Sequence, residues 1–266
     1  MDLERQWQVV LMIVALTMSR MLVAFSVIPL FVGNGVPAFI RVVFVAGLSL
    51  ALLPLALGDE ALASIPLVSL PIYVAKEAAI GLVLGLLTSV VFWALYAAGA
   101  MIEYQAGMAF ATTIDPLTGQ DESLLGSLLV RLFTTLFLVT GGLLSLLSLL
   151  FDSYAAWPLS SLMPVVASPL LVELLLRALT QLLTTALTVA APFVIMMLLI
   201  EVAFGLLSRF APLLNVFFIV LPLKVLALAL MLLLYGMVVA SSGSLLPLAD
   251  FTDLLNALRG AWRPAP

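Results

Sequence analysis

Residues 210–249 read FAPLLNVFFIVLPLKVLALALMLLLYGMVVASSGSLLPLA, an apolar run interrupted by one charge, Lys224. About 20 consecutive apolar residues cross the hydrocarbon core of a bilayer as a helix, and this run exceeds that length. Outward from it the same pattern recurs, with apolar regions at about 7–32, 36–58, 71–102, 124–151, 174–200 and 213–240. A β-barrel would need many short segments of alternating polarity. These regions are long, continuous and rich in Leu, Ala and Val, so they predict an all-α, polytopic integral membrane protein of helical hairpins.

The composition agrees. The chain is 65% hydrophobic and 9% charged, with a mean hydropathy of +1.31, more apolar surface than a soluble globule of 266 residues could bury. The first apolar stretch does not read as a cleavable leader, because Asp2 and Glu4 sit beside Arg5, Arg20 interrupts the core and no A-x-A site follows. Cys and His are absent, which removes disulfides, thiolate and imidazole chemistry and the commonest metal ligands. No catalytic, cofactor or metal site is predicted, and the chain does not read as an enzyme. A net charge of −4 without any Lys/Arg cluster offers nothing to nucleic acid.

The isolated charges are the informative residues. Arg20 is flanked by the uncharged stretches 6–19 and 21–40, and Lys224 divides 210–223 from 225–249. A charge at membrane depth costs roughly 2.5–3.5 kcal/mol on insertion scales, so such groups face protein, a cavity or a pathway. Lys76 and Glu77 are adjacent and point about 100° apart on a helix, which predicts a separate partner for each. Glu201 and Arg209 lie ~12 Å apart along a helix and out of phase, so they are not expected to pair with each other. Lys224 follows Pro222 closely; either the helix bends there or the ammonium meets a carboxylate.

Gly81 and Gly85 share one helical face, and Gly99, Glu103 and Gly107 share another. Small residues at this spacing let backbones approach closely, within the chain or against another subunit. Residues 103–123 are more polar and contain Asp115-Pro116, which bends the backbone, so a structured loop is expected there. Gly33 through Pro37 reads as a tight turn between regions one and two. Tyr154 and Trp157, among the prolines of residues 152–169, suit an interfacial loop with aromatic anchors. Pro192 and Pro222 lie inside apolar runs and are expected to kink or break their helices. No linker divides the chain, giving one membrane domain over 1–243 and a short tail over 244–266.

Ser19-Arg20, Phe25, Ile28-Pro29-Leu30-Phe31, Val36-Pro37, Arg41 and Pro54 together resemble the opening of the flagellar export protein FliR and its injectisome homologue SctT. The resemblance continues through Lys76-Glu77, Gly81, Gly85, Gly99, Glu103-Tyr104-Gln105-Ala106-Gly107 and Asp115-Pro116. It resumes at Glu201, Gly205-Leu206, Ser208-Arg209, Pro212, Asn215-Val216-Phe217 and Pro222-Leu223-Lys224. Tyr154 through Leu159 is more similar to the injectisome branch, whereas Leu213 stands where the flagellar pattern has Gln.

This resemblance implies a non-enzymatic subunit of the type III secretion export apparatus. It implies one copy joined to several R and S subunits in a helical, ring-like assembly, beside the U subunit and the V export gate. The assembly would conduct unfolded secreted proteins across the bacterial inner membrane, with no cofactor and with many apolar helices raised toward the periplasm. On that reading Arg20, Arg41, Lys76, Glu77, Glu103, Glu201, Arg209 and Lys224 become candidate assembly charges. Gly107, Asp115 and Pro116 mark a candidate gating loop, and Gly81, Gly85 and Gly99 mark close helix packing. The alternative that the charges and prolines support is a small-solute or proton-coupled secondary transporter.

Overall fold

The computed structural model describes residues 3–31, 37–57, 61–62, 65–107, 113–114, 121–162, 168–210 and 216–242. Seven helices run through them: α1 (Leu3–Val27), α2 (Ala38–Ala56), α3 (Leu70–Ala106), α4 (Leu124–Val139), α5 (Gly142–Ala156), α6 (Ser168–Phe210) and α7 (Val216–Ser242). A 3-10 turn, Leu67–Ser69, leads into α3. A two-residue antiparallel ladder pairs β1 (Thr113–Ile114) with β2 (Asp121–Glu122) in the register Thr113↔Glu122. The all-α polytopic architecture read from the sequence is the one observed. Four helices are long and apolar enough to cross a membrane, and α4 with α5 makes a fifth if the bent pair counts as one span.

Three expectations change. The fourth apolar region is two helices, because Gly141 takes a left-handed φ of 83° and interrupts the ladder between α4 and α5. The two prolines do not break their helices: α6 continues through Pro192 and α7 through Pro222. A proline removes one backbone hydrogen bond, and long apolar turns on both sides hold the rest of the ladder. Residues 103–106 belong to the last turn of α3, so the loop begins at Gly107, whose φ of 76° ends the helix. The turn at Gly33–Val36, the Asp115-Pro116 bend and the tail 244–266 lie outside the described residues.

The chain forms two compact units. The first draws on residues 3–90 and 140–178. Here α1 buries Leu16, Arg20 and Ala24 at four-residue spacing, and Ile28 just past its end continues the stripe a helix presents to one neighbour. The neighbour is α3, which buries Tyr73, Glu77, Leu84 and Thr88. Contacts advance in step along both helices, Ser19 Oγ donating to the Val74 carbonyl and Ser89 Oγ to the Val27 carbonyl, each at 3.2 Å, so α1 and α3 run parallel. A Cβ on Gly81 would overlap the Arg20 carbonyl, and one on Gly85 would lie 2.8 Å from the Ala24 carbonyl oxygen. The glycines therefore set the α1–α3 crossing from inside the chain. At its end α1 meets α2 through Phe25, Phe31 and Phe44, ring centroids 4.6–5.9 Å apart.

The second unit draws on residues 91–139 and 179–242 of the described chain. Phe92 of α3 packs edge-on against Phe133 and Phe137 of α4, at 4.9 and 5.6 Å. A Cβ on Gly99 would come within 2.5 Å of the Gly126 Cα, so these two backbones touch. Phe193 of α6 meets Tyr235 of α7 at 5.8 Å.

Candidate functional site

Most of the charges singled out in the sequence are drawn together inside the chain. In the first unit Arg20 and Glu77, both with fully buried side chains, meet at 2.6 Å between Nε and Oε2. Each sits in the apolar stripe of its helix, so packing α1 on α3 brings the pair into register. The other guanidinium nitrogens reach α5 and its end: Nη1 donates to Ser153 Oγ at 3.0 Å and Nη2 to the Trp157 carbonyl at 2.9 Å. The guanidinium also stacks 4.0 Å from the Tyr154 ring, whose hydroxyl donates to the Thr17 carbonyl at 3.0 Å. Arg suits this site because a planar fork can satisfy three directions at once.

Lys76 completes the cluster. Its side chain is long enough to fold back on its neighbour, and Nζ lies 2.6 Å from Glu77 Oε1. Each has the separate partner that the sequence led one to expect, Arg20 for Glu77 and backbone carbonyls for Lys76, but the two also pair with each other, because flexible χ angles reach what the backbone spacing denies. Nζ also donates toward the carbonyls of Pro158, Leu159 and Ser161 at 3.2, 3.2 and 2.8 Å. Two cations thus share one carboxylate, and the carbonyls just beyond α5 supply the remaining negative potential, as the C-terminal end of a helix does. Tyr154 and Trp157 are 8% and 7% exposed, so they are parts of this cluster and not interfacial anchors. Residue identity gave no signal for the carbonyl cage, since every residue type carries a carbonyl.

Of the two alternatives for Lys224 of α7, a bent helix or a carboxylate partner, a carboxylate is found. Nζ pairs with Glu201 Oε1 of α6 and donates to the Gln105 carbonyl of α3 at 3.0 Å, while Gln105 Nε2 reaches Glu201 Oε2 at 3.2 Å. Three helices are tied at one point. Gly107 lies two residues on from Gln105, and a Cβ there would meet Leu221 Cδ2 at 2.5 Å. The Lys224 side chain is 5% exposed and the Glu201 side chain 44%, so removing Glu201 strands a buried charge, whereas removing Lys224 leaves a half-exposed one. Glu201→Gln is therefore expected to cost about 2 kcal/mol, discounted from a fully buried pair, and Lys224→Met less. The unfolding midpoints of the two variants in detergent test this; the reverse order would refute it.

Glu103 takes a different kind of partner. Its Oε2 accepts from Ser123 Oγ and from the Leu125 amide at 3.4 Å, facing the first turn of α4. Arg41 is half-buried, Arg131 and Arg209 are exposed, and none of the three has an ion-pair partner among the described residues. Asp115 and Pro116 lie outside those residues. The residues that the sequence reading did not single out are Tyr96, Ser123 and Ser153, each of which hydrogen-bonds to a charge or to a helix end.

The family described as bacterial export proteins, family 1, matches residues 11–244. The Yop proteins translocation protein T of Yersinia pestis is 38% identical over 176 residues, covering 66% of this chain and 67% of that protein. The surface presentation of antigens protein SpaR of Salmonella typhimurium is 37% identical over 163 residues, covering 61% and 60%. The flagellar biosynthetic protein FliR of Escherichia coli is 28% identical over 227 residues, covering 83% and 82%.

Proposed function

The chain belongs to family 1 of the bacterial export proteins and is a multi-pass subunit of a type III export apparatus in the inner membrane; within it, we propose that this subunit forms and closes part of the protein-conducting portal. The proposed partners are the R and S subunits, with the U subunit and the V export gate nearby and unfolded secreted proteins in transit. The family match over residues 11–244 carries this reading. The apolar windows in Val172–Phe210 and Phe218–Met237 are only 22% and 11% buried, which leaves broad faces for neighbouring subunits or lipid to cover. The matched family lends no support to the small-solute transporter.

Closure is assigned to the segment 107–122. It leaves α3 at Gly107, beside the Lys224–Glu201 tie, and returns to α3 at Ser123, beside Glu103. A segment tied at both ends to helices of one unit is suited to occupying a passage without leaving it. Arg41 and Arg209, unpaired among the described residues, are the charges best placed to pair with other subunits.

Co-expression with candidate R and S subunits, gentle detergent extraction and native mass measurement test the assembly. A complex holding this chain is expected; a chain that stays folded and alone would overturn it. Removing residues 115–120 is expected to raise ion leak across the inner membrane with the complex still recovered. An unaltered leak with intact assembly would refute closure by this segment.

A further inference from the structure

α4 carries two seams on opposite sides. Gly126, Leu129, Phe133 and Phe137 are its buried residues, and this side takes the α3 backbone at Gly99 and the Phe92 ring. On the far side Leu124, Leu128, Arg131, Thr135 and Leu138 follow one another at spacings of four, three, four and three residues, and all five are exposed. The three leucines remain 45–54% exposed once α4 has packed on α3, so the chain itself leaves this seam open. Alternating spacings of four and three give a period of 3.5 residues, the repeat by which one helix seats its side chains between those of another over several turns. Contact with lipid asks only for apolar residues and places no demand on their spacing.

Arg131 is the middle residue of the open seam and lies half-way along the 16 residues of α4, ~10–12 Å from either end. It has no ion-pair partner among the described residues. The Thr135 hydroxyl is already spent on the Arg131 carbonyl, to which it donates at 3.0 Å, so the unmet demand on this seam is that of the guanidinium. A charge at such depth in an apolar helix faces a counter-charge or a wet cavity rather than lipid, and leucines on both sides of Arg131 make a dry seam, not a wall for water. A second copy of the same seam does not answer it. α4 contains no acidic residue, and because Arg131 is the centre, pairing the seam with itself in either direction sets guanidinium against guanidinium.

We infer that the seam Leu124–Leu128–Arg131–Thr135–Leu138 is an interface with another subunit of the apparatus, occupied by an apolar helix that brings a carboxylate opposite Arg131. The leucines supply the packing, and the single ion pair fixes the register, as one polar residue does in a coiled-coil seam. This rests on the reading of the chain as one that assembles with other subunits, and adds to it the face and the chemistry of one contact.

The test uses the full chain co-expressed with candidate R and S subunits. A photoreactive benzoylphenylalanine in place of Leu128 or Leu138 is expected to crosslink this chain to another subunit; crosslinks to lipid alone, or only within the chain, would overturn the interface. Arg131→Met is expected to lower recovery of the complex by about tenfold and Arg131→Glu by more, with Arg131→Lys between wild type and Arg131→Met. Exchanging the two charges between the chains, once crosslinking has located the carboxylate, should restore recovery to Arg131→Glu. The unfolding midpoint of the chain alone in detergent should not fall in Arg131→Met, since the guanidinium pairs with no charge of its own chain. A midpoint that falls in step with recovery would place the role of Arg131 inside the chain and overturn the inference. Wild-type recovery in both Arg131→Met and Arg131→Glu would overturn the ion pair and leave the assembly standing, whereas a wild-type chain that stays alone removes the assembly and this contact with it.

Discussion

Glu77→Gln is expected to abolish most of the folded chain. The wild-type cluster holds two cations and one carboxylate: Glu77 is fully buried beside an Arg20 that is also fully buried and a Lys76 side chain that is 9% exposed. Removing the only carboxylate leaves two charges of like sign within hydrogen-bond reach of the same site. Stranding one buried charge costs about 3–5 kcal/mol, which is a large part of the total stability of a typical domain. Arg20→Met leaves a neutral Lys76–Glu77 pair but loses the contacts to Ser153, Trp157 and Tyr154, so its loss should be smaller. Lys76→Met leaves Arg20–Glu77 intact and should be smallest. The double variant Arg20→Met with Glu77→Met should recover more folded chain than Glu77→Gln alone, because no guanidinium is then left without its carboxylate. Monodisperse protein after detergent extraction and its unfolding midpoint give the measurement. An order in which Lys76→Met is worst, or strictly additive losses in the double variant, would refute the account.

Much of this cluster was legible as a requirement and little of it as an identity. Arg20 and Lys224, each alone in an apolar run, demanded partners, and the desolvation cost made that demand independent of any fold. Which carboxylate answers depends on helix packing: Arg20 and Glu77 lie 57 residues apart, and Lys224 and Glu201 lie 23 apart on successive helices. The pairing of Lys76 with its own neighbour was hidden because helical spacing describes Cβ directions and not the reach of a four-carbon side chain. Sequence spacing also grouped Gly99 and Gly107 in one row, yet they act differently. Gly99 admits the α4 backbone, while Gly107 ends α3 through its positive φ.

The helices themselves were more legible than their interruptions. Apolar length marked every long helix, but Pro192 and Pro222 drew attention as possible breaks, whereas the helices continue through both and the break falls at Thr140-Gly141. A proline advertises its defect in its covalent structure. A glycine shows only a permission, and whether the backbone uses it depends on the surrounding packing.

Gly81→Ala is expected to approach the loss seen with Glu77→Gln although it adds a single methyl group. In an exposed helix the change from Gly to Ala stabilises by about 1 kcal/mol. At Gly81 the new Cβ would overlap the Arg20 carbonyl oxygen and lie 3.1 Å from the Arg20 Cα, both backbone atoms that no rotamer change can move. α1 must then shift away from α3 at the residue whose guanidinium is fixed on Glu77, so packing and ion pair are lost together. Overpacking of this kind costs up to about 3 kcal/mol, and the disturbed pair adds to it. Gly47→Ala and Gly205→Ala are the controls, since a Cβ at either meets nothing within 4 Å; both should leave the unfolding midpoint equal or raised. Combining Gly81→Ala with Glu77→Gln should cost less than the sum of the two, because each already undoes what the other removes. If Gly81→Ala proves as harmless as Gly205→Ala, the close α1–α3 crossing is wrong, and the ion pair that depends on it loses its geometric basis.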